Sequence, residues 1–410
     1  MRLNAVIAGV AMTRFGKHLD KSLKQLGGEP VLEAVKDAGI ELRDIEAAYV
    51  GNCAAGLVTG QESIRGQVIL SSIGLGKIPI INIENACGSS STALRSSSTA
   101  LNQACMMVSA GYYDVVLVVG VEKLYHENKA ITYSAFSGAV DVEERDKFIA
   151  EVTAGQSEGS GETRSVFADF YGVMARDHMR DYGSTPEHFA MVTAKNSFHG
   201  SLNPKAQFTE VMTVEEVLAQ PMITPPLTRP MICPVADGGA AAVVVSERKA
   251  RQLGIVKPVR LVSSVVHSYF DHPPGAEENV SSLCIDEAYY EAGVGPEDLD
   301  VLEVHDSSAP CEILYYEGLH LCPPGDSVKM LADGETKLGG RLPVNTSGGL
   351  LRKGHPVGAT GVSQILELTY QLQGRAGKRQ VEGASIALAH NGGGTIDGEV
   401  AAMNINILMC

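Results

Sequence analysis

An internal repeat constrains the fold of this chain more than any other feature of its sequence. The segment EAVKDAGIELRDIEAAYVGN (Glu33–Asn52) aligns without a gap with EAYYEAGVGPEDLDVLEVHD (Glu287–Asp306). Each copy has the pattern of a helix that ends at Gly, an Asp-containing turn and a strand. Further along, IINIENACGSSSTAL parallels LPVNTSGGLLRKGHPVGATG, since both combine a strand, a Gly/Ser-rich turn and a helix. All α/β units share some of this pattern, but the gap-free alignment favours a duplicated domain.

Short apolar runs indicate the fold class. DVVLVVGVE, AAAVVVSE and GASIALAHN alternate with Ala/Leu-rich helical stretches. Near-continuous apolar strands are typical of sheets covered by helices on both faces, which predicts an α/β protein. Residues 1–124 with 226–256 are predicted to form one half and residues 257–410 the other. The polar, Gly/Ser-rich stretch 125–225 is predicted to be an inserted loop domain, and loops of that length are usually functional.

Composition excludes several classes of function. The net charge of −15 over 410 residues argues against nucleic acid or an anionic membrane surface as the main partner. Eight cysteines without a CxxC pair resemble neither a disulfide framework nor a zinc site, so reduced thiols, no bound metal and a cytoplasmic location are expected. The sequence has no run of 18 apolar residues, so no membrane span is expected.

Cys87 lies where a nucleophile could be placed. It follows an apolar strand-like run and precedes a small-residue stretch with the pattern of a helix. The positive end of a helix macrodipole would lower the pKa of such a thiol, and small neighbours would let backbone N–H groups approach an oxyanion. A buried structural cysteine explains the stretch equally well.

A second stretch, RKGHPVGATG, holds His355 between Gly354 and Pro356. A histidine held by rigid neighbours suits a general base or an oxyanion donor. A single histidine more often has a structural role. The position of His355 in the second repeat, at the turn that corresponds to Cys87 in the first, favours function.

Two further stretches end predicted strands. EVHDSSAP places His305 and Asp306 at the carboxyl end of a strand, where α/β sheets collect active sites. His305 could donate to an oxyanion and Asp306 could orient its neighbours, although a hydrogen-bonded turn explains both. In LAHNGGG, His390 and Asn391 precede Gly392–Gly394, whose N–H groups could complete an anion-binding nest. A GxGxxG fingerprint is absent, which argues against a Rossmann oxidoreductase.

Taken together, these motifs resemble the thiolase superfamily in their order and separation. His305-Asp306, at the place where many thiolases carry Asn-Glu-Ala-Phe, is similar to the SCP2-like (sterol-carrier-protein-type) branch. The resemblance covers essentially the whole chain. It implies a five-layered αβαβα thiolase fold: two duplicated halves that each hold a mixed sheet, a shared pair of central helices, and a loop domain over the pocket. It also implies binding of coenzyme A thioesters, no covalently bound cofactor, and a homodimer or dimer of dimers.

The resemblance assigns roles to individual residues. Cys87 would be the nucleophile that carries the acyl group as a thioester. His355 would activate Cys87 and contribute to an oxyanion hole, and His305 would serve the same hole. Backbone N–H groups of Cys87 and of the Gly392–Gly394 turn, with Gly392 and Gly393 singled out, would form a second hole.

The chain departs from the family at the second catalytic cysteine. His390 occupies the cysteine position of the CxG motif, and Ser307 occupies the one that follows His-Asp. Cys311 is expected on the following helix and turned away. His390, His355 or a water is then predicted to take over the proton. The residues predicted to line the substrate pocket are Asp306, Ser307, Ser308 and Asn391.

The predicted function is a thiolase that cleaves or forms a 3-oxoacyl-CoA through an acyl-cysteine. The degradative direction and an aromatic, branched or carboxylated acyl chain, such as a benzoylsuccinyl-CoA-type substrate, are favoured. One alternative is a thiolase-like aldol lyase that acts on a 3-hydroxyacyl-CoA, for which Cys87 would be unnecessary. The other is a non-catalytic subunit that pairs with a small zinc-ribbon/OB-fold protein.

Overall fold

The computed structural model describes residues 3–89, 100–153, 160, 164–273, 276 and 278–410. The predicted start of the helix after Cys87, at 90–99, lies outside these residues. The strands are β1 (Val6–Met12), β2 (Ala47–Gly51), β3 (Ile80–Ile83), β4 (Val115–Glu122), β5 (Met222–Thr224), β6 (Leu227–Thr228), β7 (Gly238–Val245), β8 (Val259–Ser268), β9 (Val301–Glu303), β10 (Ile386–Ile396) and β11 (Glu399–Met409).

The α-helices are α1 (Leu23–Asp37), α2 (Ala55–Thr59), α3 (Arg65–Ser71), α4 (Ala100–Ser109), α5 (Lys129–Phe136), α6 (Arg145–Thr153), α7 (Val166–Tyr182), α8 (Pro186–Ser201), α9 (Val214–Leu218), α10 (Glu247–Gln252), α11 (Val280–Ala292), α12 (Ala309–Gly318), α13 (Ser327–Ala332), α14 (Gly349–Lys353) and α15 (Thr360–Gln373). Helices and strands alternate along most of the chain, as predicted for an α/β protein.

The two halves repeat one strand topology. In the first half the order is β3-β2-β4-β7-β1, with β2 parallel to β3 and β4 and the remaining pairs antiparallel. In the second half β9 is parallel to β10, and β10–β11 and β11–β8 are antiparallel. A bridge between Leu302 and Val344 lies where β3 lies in the first half. The duplication predicted from the sequence is therefore visible in the order and direction of the strands.

The two halves share one continuous sheet, whereas a separate sheet in each half was expected. Val6 pairs with Arg260 and Ile7 with Val259, which joins β1 to β8. Both strands would otherwise be edges with unpaired backbone groups, and their pairing satisfies part of those groups.

Alternation along β4 shows how the layers are arranged. Val116 and Val118 pack in a central apolar cluster with side chains of α4 and α15, whereas Leu117 and Val119 pack in an outer cluster with α1 and α3. The second half has the same arrangement, since side chains of α11 and α12 pack in an outer apolar cluster on its sheet. The two halves of the continuous sheet lie on either side of the central helices α4 and α15. The layers are therefore helix, half-sheet, helix, half-sheet and helix, and the five-layered fold is confirmed.

Within residues 125–225, Val140, Phe148, Val152 and Val166 form a small apolar cluster of their own. That cluster agrees with an inserted unit, whose boundaries remain a prediction. Across the described ranges, no helix is both long and apolar enough to cross a membrane.

Candidate active site

A strained turn presents Cys87 to a cavity. The residue follows β3 in the short 3₁₀ turn Ala86–Gly88. Ala86 has a left-handed backbone with φ of 46°, which is costly for a residue with a side chain. A hydrogen bond of 2.6 Å from the Ala86 N–H to Glu84 Oε1 helps to hold this conformation. Such strain is often found where a reactive side chain is held in place.

Three chemically active side chains converge at this turn. The Cys87 sulfur and one ring nitrogen each from His305 and His355 all lie within 4.8 Å of one another. The two imidazole rings meet edge to face, with centroids 5.0 Å apart and planes at 82°. The first half of the chain supplies the thiol and the second half both histidines, so the fold brings together three residues that the sequence predicted as catalytic.

Hydrogen bonds assign the tautomer of His355. Its Nδ1 lies 2.7 Å from Thr360 Oγ1, and the Thr360 hydroxyl donates to the Pro356 carbonyl at 3.2 Å. The Thr360 oxygen therefore accepts the Nδ1–H of His355, which leaves Nε2 as an unprotonated acceptor. Burial lowers the pKa of His355 well below its usual value, so the ring is neutral at pH 7.

A longer chain of hydrogen bonds assigns the tautomer of His305. Gln364 Nε2 donates to the His390 carbonyl at 3.1 Å, so Gln364 Oε1 accepts from Asn391 Nδ2 at 3.2 Å. Asn391 Oδ1 then accepts from His305 Nδ1 at 2.7 Å. Burial lowers the pKa of His305 to about 4. In its resting neutral form His305 thus has an acceptor at Nε2, whereas the sequence predicted an oxyanion donor.

The resting cysteine is a thiol. Burial, reinforced by Glu122 and Glu84, raises the pKa of Cys87 to about 12, against the smaller lowering effect of the N–H groups of Cys87 and Gly394. The sequence predicted a lowered pKa, which is wrong because burial and two carboxylates outweigh the backbone donors. One S–H proton and two acceptor nitrogens therefore occupy the cluster.

The glycine run of β10 lies directly against Cys87. A Cβ added to Gly393 would lie 2.5 Å from the Cys87 backbone nitrogen, so only glycine fits there. The N–H that lies toward the sulfur belongs to Gly394, which has a left-handed φ of 67°. This donor lies at the last residue of the predicted Gly392–Gly394 turn, whereas Gly392 and Gly393, the two residues singled out, line the cavity.

Several predicted pocket residues are placed elsewhere. Asp306, Ser308 and Asn391 are not among the described residues that line the cavity, whereas Ser307 is. The buried Asp306 carboxylate accepts the Leu350 N–H at 2.7 Å and the Asn196 side-chain amide at 2.8 Å. Asp306 therefore fixes loop geometry. These hydrogen bonds agree with the predicted orienting role of Asp306. Its predicted place in the pocket failed because consecutive residues at the end of a strand point in different directions.

His390 was predicted as an acid/base, and it too lies outside the cavity lining. Its Nδ1 accepts the His305 N–H at 3.3 Å, and its ring packs on Tyr315 with centroids 4.0 Å apart. Its Nε2 has no hydrogen-bond partner among the described residues. Burial lowers the pKa of His390 to about 3, so the ring is neutral and lies behind Tyr315.

Cys311 was expected to turn away, and that expectation is wrong. It lies in the first turn of α12 and lines the same cavity as Cys87. Its sulfur lies 3.1 Å from Ser308 Oγ and accepts from Ser307 Oγ at 3.6 Å. Because side chains of a helix tilt toward its N-terminus, the Cys311 thiol in the first turn reaches back to Ser307 and Ser308.

The sequence reasoning missed Glu122, the last residue of β4. Its buried carboxylate accepts the N–H groups of Cys53 at 3.1 Å, Ala54 at 3.2 Å and Gly358 at 3.0 Å. Glu122 thereby fastens a loop of the first half to the turn that begins α15. The available signal was a single acidic residue at the end of an otherwise apolar strand.

The cavity has a volume of about 380 Å³. Aromatic side chains form much of its wall: Tyr133, Phe136, Phe167, Phe170, Tyr171 and Tyr315. Most of them come from residues 125–225. Among the described lining residues there is no Lys or Arg.

Fold and site together define a member of the thiolase family. Residues 5–248 match the family model "Thiolase, N-terminal domain", and residues 278–404 match "Thiolase C-terminal domain-like". The chain belongs to this family, and the predicted resemblance is confirmed.

Named relatives place the chain more closely. It is 38% identical over 99% of both chains to an acetyl-CoA acetyltransferase of Methanothermobacter thermautotrophicus. Benzoylsuccinyl-CoA thiolase subunit BbsB of Thauera aromatica is 35% identical, covering 95% of this chain and 94% of BbsB. Sterol carrier protein 2 of Rattus norvegicus is 35% identical over 94% of this chain and 69% of its own length, as expected for the predicted branch. Among solved structures, the Ltp2–ChsH2(DUF35) aldolase superposes with a TM-score of 0.77 at 26% identity, covering 98% of this chain and 97% of the other.

Proposed function

We propose that this protein is a degradative thiolase that cleaves a 3-oxoacyl-CoA through an acyl thioester on Cys87. The convergence of Cys87, His305 and His355 within 4.8 Å carries the proposal. A thiol with a raised pKa needs a base, and the unprotonated Nε2 of His355 supplies one at the same place.

In the first half-reaction, Cys87 passes its S–H proton to His355 Nε2 and attacks the 3-keto carbon. The new imidazolium donates to the oxyanion, so the donor is created by the reaction itself. When the oxyanion collapses, the C2–C3 bond breaks and its electron pair leaves as the enolate of acetyl-CoA. The Cys311 thiol protonates C2, and Cys311 becomes a thiolate stabilised by Ser307 and Ser308.

In the second half-reaction, coenzyme A passes its thiol proton to the Cys311 thiolate and attacks the acyl-Cys87 carbonyl. The N–H groups of Cys87 and Gly394 stabilise the second oxyanion. Cys87 leaves as a thiolate and recovers its proton from His355. Cys311 thus performs the role proposed from sequence for His390, His355 or a water.

The cavity wall supports an aromatic or branched acyl chain. Aromatic side chains offer stacking and apolar contact to such a group. A carboxylated chain would need a cation or several donors. The described lining offers hydroxyl and amide groups such as Ser165, Asn279 and Ser281, but it contains no Lys or Arg and includes the acidic Glu399. BbsB, by its name, acts on benzoylsuccinyl-CoA, which joins an aromatic ring to a carboxylate. A substrate that keeps the ring and lacks the carboxylate fits this cavity better.

A second candidate is an aldol lyase acting on a 3-hydroxyacyl-CoA. The specific observation in its favour is the acceptor Nε2 of His305, which could take the proton of a 3-hydroxyl group. The similarity to the Ltp2–ChsH2(DUF35) aldolase supports it. Cys87 would then have no covalent role.

We also propose that the protein is cytoplasmic and forms a homodimer or a dimer of dimers. The proposal also includes a small zinc-ribbon/OB-fold partner, because BbsB is named as a subunit and the solved aldolase is named for both Ltp2 and ChsH2(DUF35). If such a partner completes the site, activity will appear only after it is added.

The test is a panel of acyl-CoA substrates with wild-type protein, Cys87→Ala and the matched control Cys322→Ala, whose thiol is not among the described lining residues. Coenzyme A-dependent cleavage of aryl 3-oxoacyl-CoA by the wild type and the control, lost in Cys87→Ala, supports the thiolase. Cleavage of a 3-hydroxyacyl-CoA that survives in Cys87→Ala supports the lyase. Preference for carboxylated chains would contradict the assigned acyl class.

A further inference from the structure

The cluster at the cavity floor also has the composition of a metal site. The sequence offers no motif for one, because residues 87, 305 and 355 are far apart along the chain. The fold nevertheless places one thiol and two imidazoles with their ligand atoms within 4.8 Å of one another. Cysteine and histidine are the preferred ligands of Zn²⁺, and three protein ligands with one open position are typical of accessible zinc sites.

Both histidines are already in the form that binds a metal. Each donates Nδ1–H to an oxygen acceptor, Thr360 Oγ1 for His355 and Asn391 Oδ1 for His305, at 2.7 Å in both cases. Each ring therefore has its lone pair at Nε2. Metal-bound histidines almost always have such an outer hydrogen bond, which fixes ring orientation and raises the basicity of the ligand.

The spacing is compatible with tetrahedral coordination after small side-chain adjustments. Bond lengths of about 2.0–2.3 Å place the ligand atoms of a tetrahedral zinc site about 3.3–3.7 Å apart. Ligand atoms that lie up to 4.8 Å apart reach this distance when side-chain rotation shifts each of them by about 1 Å. His305 is decisive because without its ring only Cys87 and His355 would remain as ligands in the cluster.

We propose that Cys87, His305 and His355 form a binding site for Zn²⁺ and that its occupation reversibly inhibits the enzyme. On binding, the Cys87 sulfur exchanges its proton for the metal and the proton leaves to solvent. The two Nε2 lone pairs are then occupied as well. A single ion thus removes the nucleophile and both acceptor nitrogens.

Cobalt is the probe, since Co²⁺ occupies zinc sites and absorbs light. Reduced wild-type protein is titrated with Co²⁺. We expect one equivalent to give thiolate-to-cobalt charge-transfer absorption together with the visible bands of a tetrahedral ion, and Zn²⁺ to abolish both. Absence of the charge-transfer band, or a band that persists in Cys87→Ser, overturns the proposal.

Variants test His305 and its hydrogen-bond partner Asn391. His305→Asn removes one ligand and is expected to weaken Co²⁺ binding by about 100-fold or more, whereas Asn391→Ala removes only the outer partner and should cost about 10–100-fold. Cys233→Ser changes another cavity thiol and should bind Co²⁺ like the wild type. Wild-type affinity in His305→Asn overturns the proposed ligand set.

A measurement on the unaltered protein guards against variants that fail to fold. One equivalent of Zn²⁺ should block alkylation of Cys87 by iodoacetamide, and a chelator should restore it. An unchanged alkylation rate contradicts the proposal. These readouts need no substrate, so they remain decisive whichever acyl-CoA reaction the protein catalyses.

Discussion

At the scale of the residue, the protonation states of Cys87, His305 and His355 define the site. Two neutral imidazoles offer lone pairs to Cys87, and the thiol holds the only proton among the three reacting atoms. In the proposed mechanism, the oxyanion donor therefore exists only after proton transfer to His355. Such a site stays uncharged until the substrate arrives, which suits a buried location where isolated charges are costly.

The pH dependence of Cys87 alkylation tests this description. Because the pKa of Cys87 is raised to about 12, its thiolate fraction should rise tenfold per pH unit from about pH 7 to about pH 10. Mass spectrometry of the Cys87 peptide after iodoacetamide treatment gives the rate. The same peptide in denatured protein is the control, and its rate should level off above about pH 8.5. A plateau below about pH 9 in the folded protein would contradict the raised pKa.

Cys311→Ala should lower kcat by about 10²–10⁴ with little change in KM, because a general acid/base is removed from a cavity that still binds substrate. Cys322→Ala, which alters a thiol outside the described lining, is the control. Thioester absorbance gives both constants. A kcat close to the wild-type value in Cys311→Ala would show that another group exchanges the proton.

At the scale of the element, β10 positions Cys87, the proposed nucleophile. Its backbone passes so close to Cys87 that a side chain at Gly393 has no space. The same strand holds Asn391, which sets the tautomer of His305, and Gly394, whose N–H reaches the sulfur. One strand therefore determines the position of Cys87, the tautomer of His305 and the backbone N–H that reaches the sulfur.

Gly393→Ala should reduce activity by at least about 100-fold, because the added methyl would lie 2.5 Å from the Cys87 nitrogen and displace the turn. Gly318→Ala is the matched control, since its methyl would meet no atom within 4 Å at the end of α12. Far-UV circular dichroism checks that both variants fold. Full activity of Gly393→Ala would mean that the turn adjusts freely.

The sequence predicted those parts of the site that short motifs in the chain identify. Cys87 and His355 lie on corresponding turns of the repeat, and their convergence followed from that correspondence. The tautomer of His305 depends on Gln364 from α15, and the role of Glu122 depends on three backbone groups from two distant segments. Such contacts between segments far apart in the chain have no local sequence signal, so only the folded structure revealed them.

At the scale of the whole molecule, α15 holds the layers together. Its side chains, Ile365 and Leu368 among them, share one apolar cluster with residues of β1, β4, β7 and β10. The strands of the two halves are also continuous through β1 and β8. The halves are therefore expected to unfold together.

Ile365→Ala should lower the free energy of unfolding by about 2–5 kcal/mol, because Ile365 is completely buried in the central cluster. Leu32→Ala, at a residue that is 47% exposed, should change it by less than about 0.5 kcal/mol. Urea unfolding followed by circular dichroism and by tyrosine fluorescence measures both, as the chain has no Trp. Separate transitions in the two signals would contradict joint unfolding.

The repeated strand topology has an evolutionary consequence. Two identical copies related by symmetry would build two equivalent edges, each with the same turn after its third strand. Here one copy supplies a cysteine at that turn and the other supplies His355. Once the copies were fused in one chain, each could mutate without changing its counterpart, and a single asymmetric centre became accessible to selection. The duplication therefore allows the proposed nucleophile and the proposed base to occupy corresponding turns of one chain.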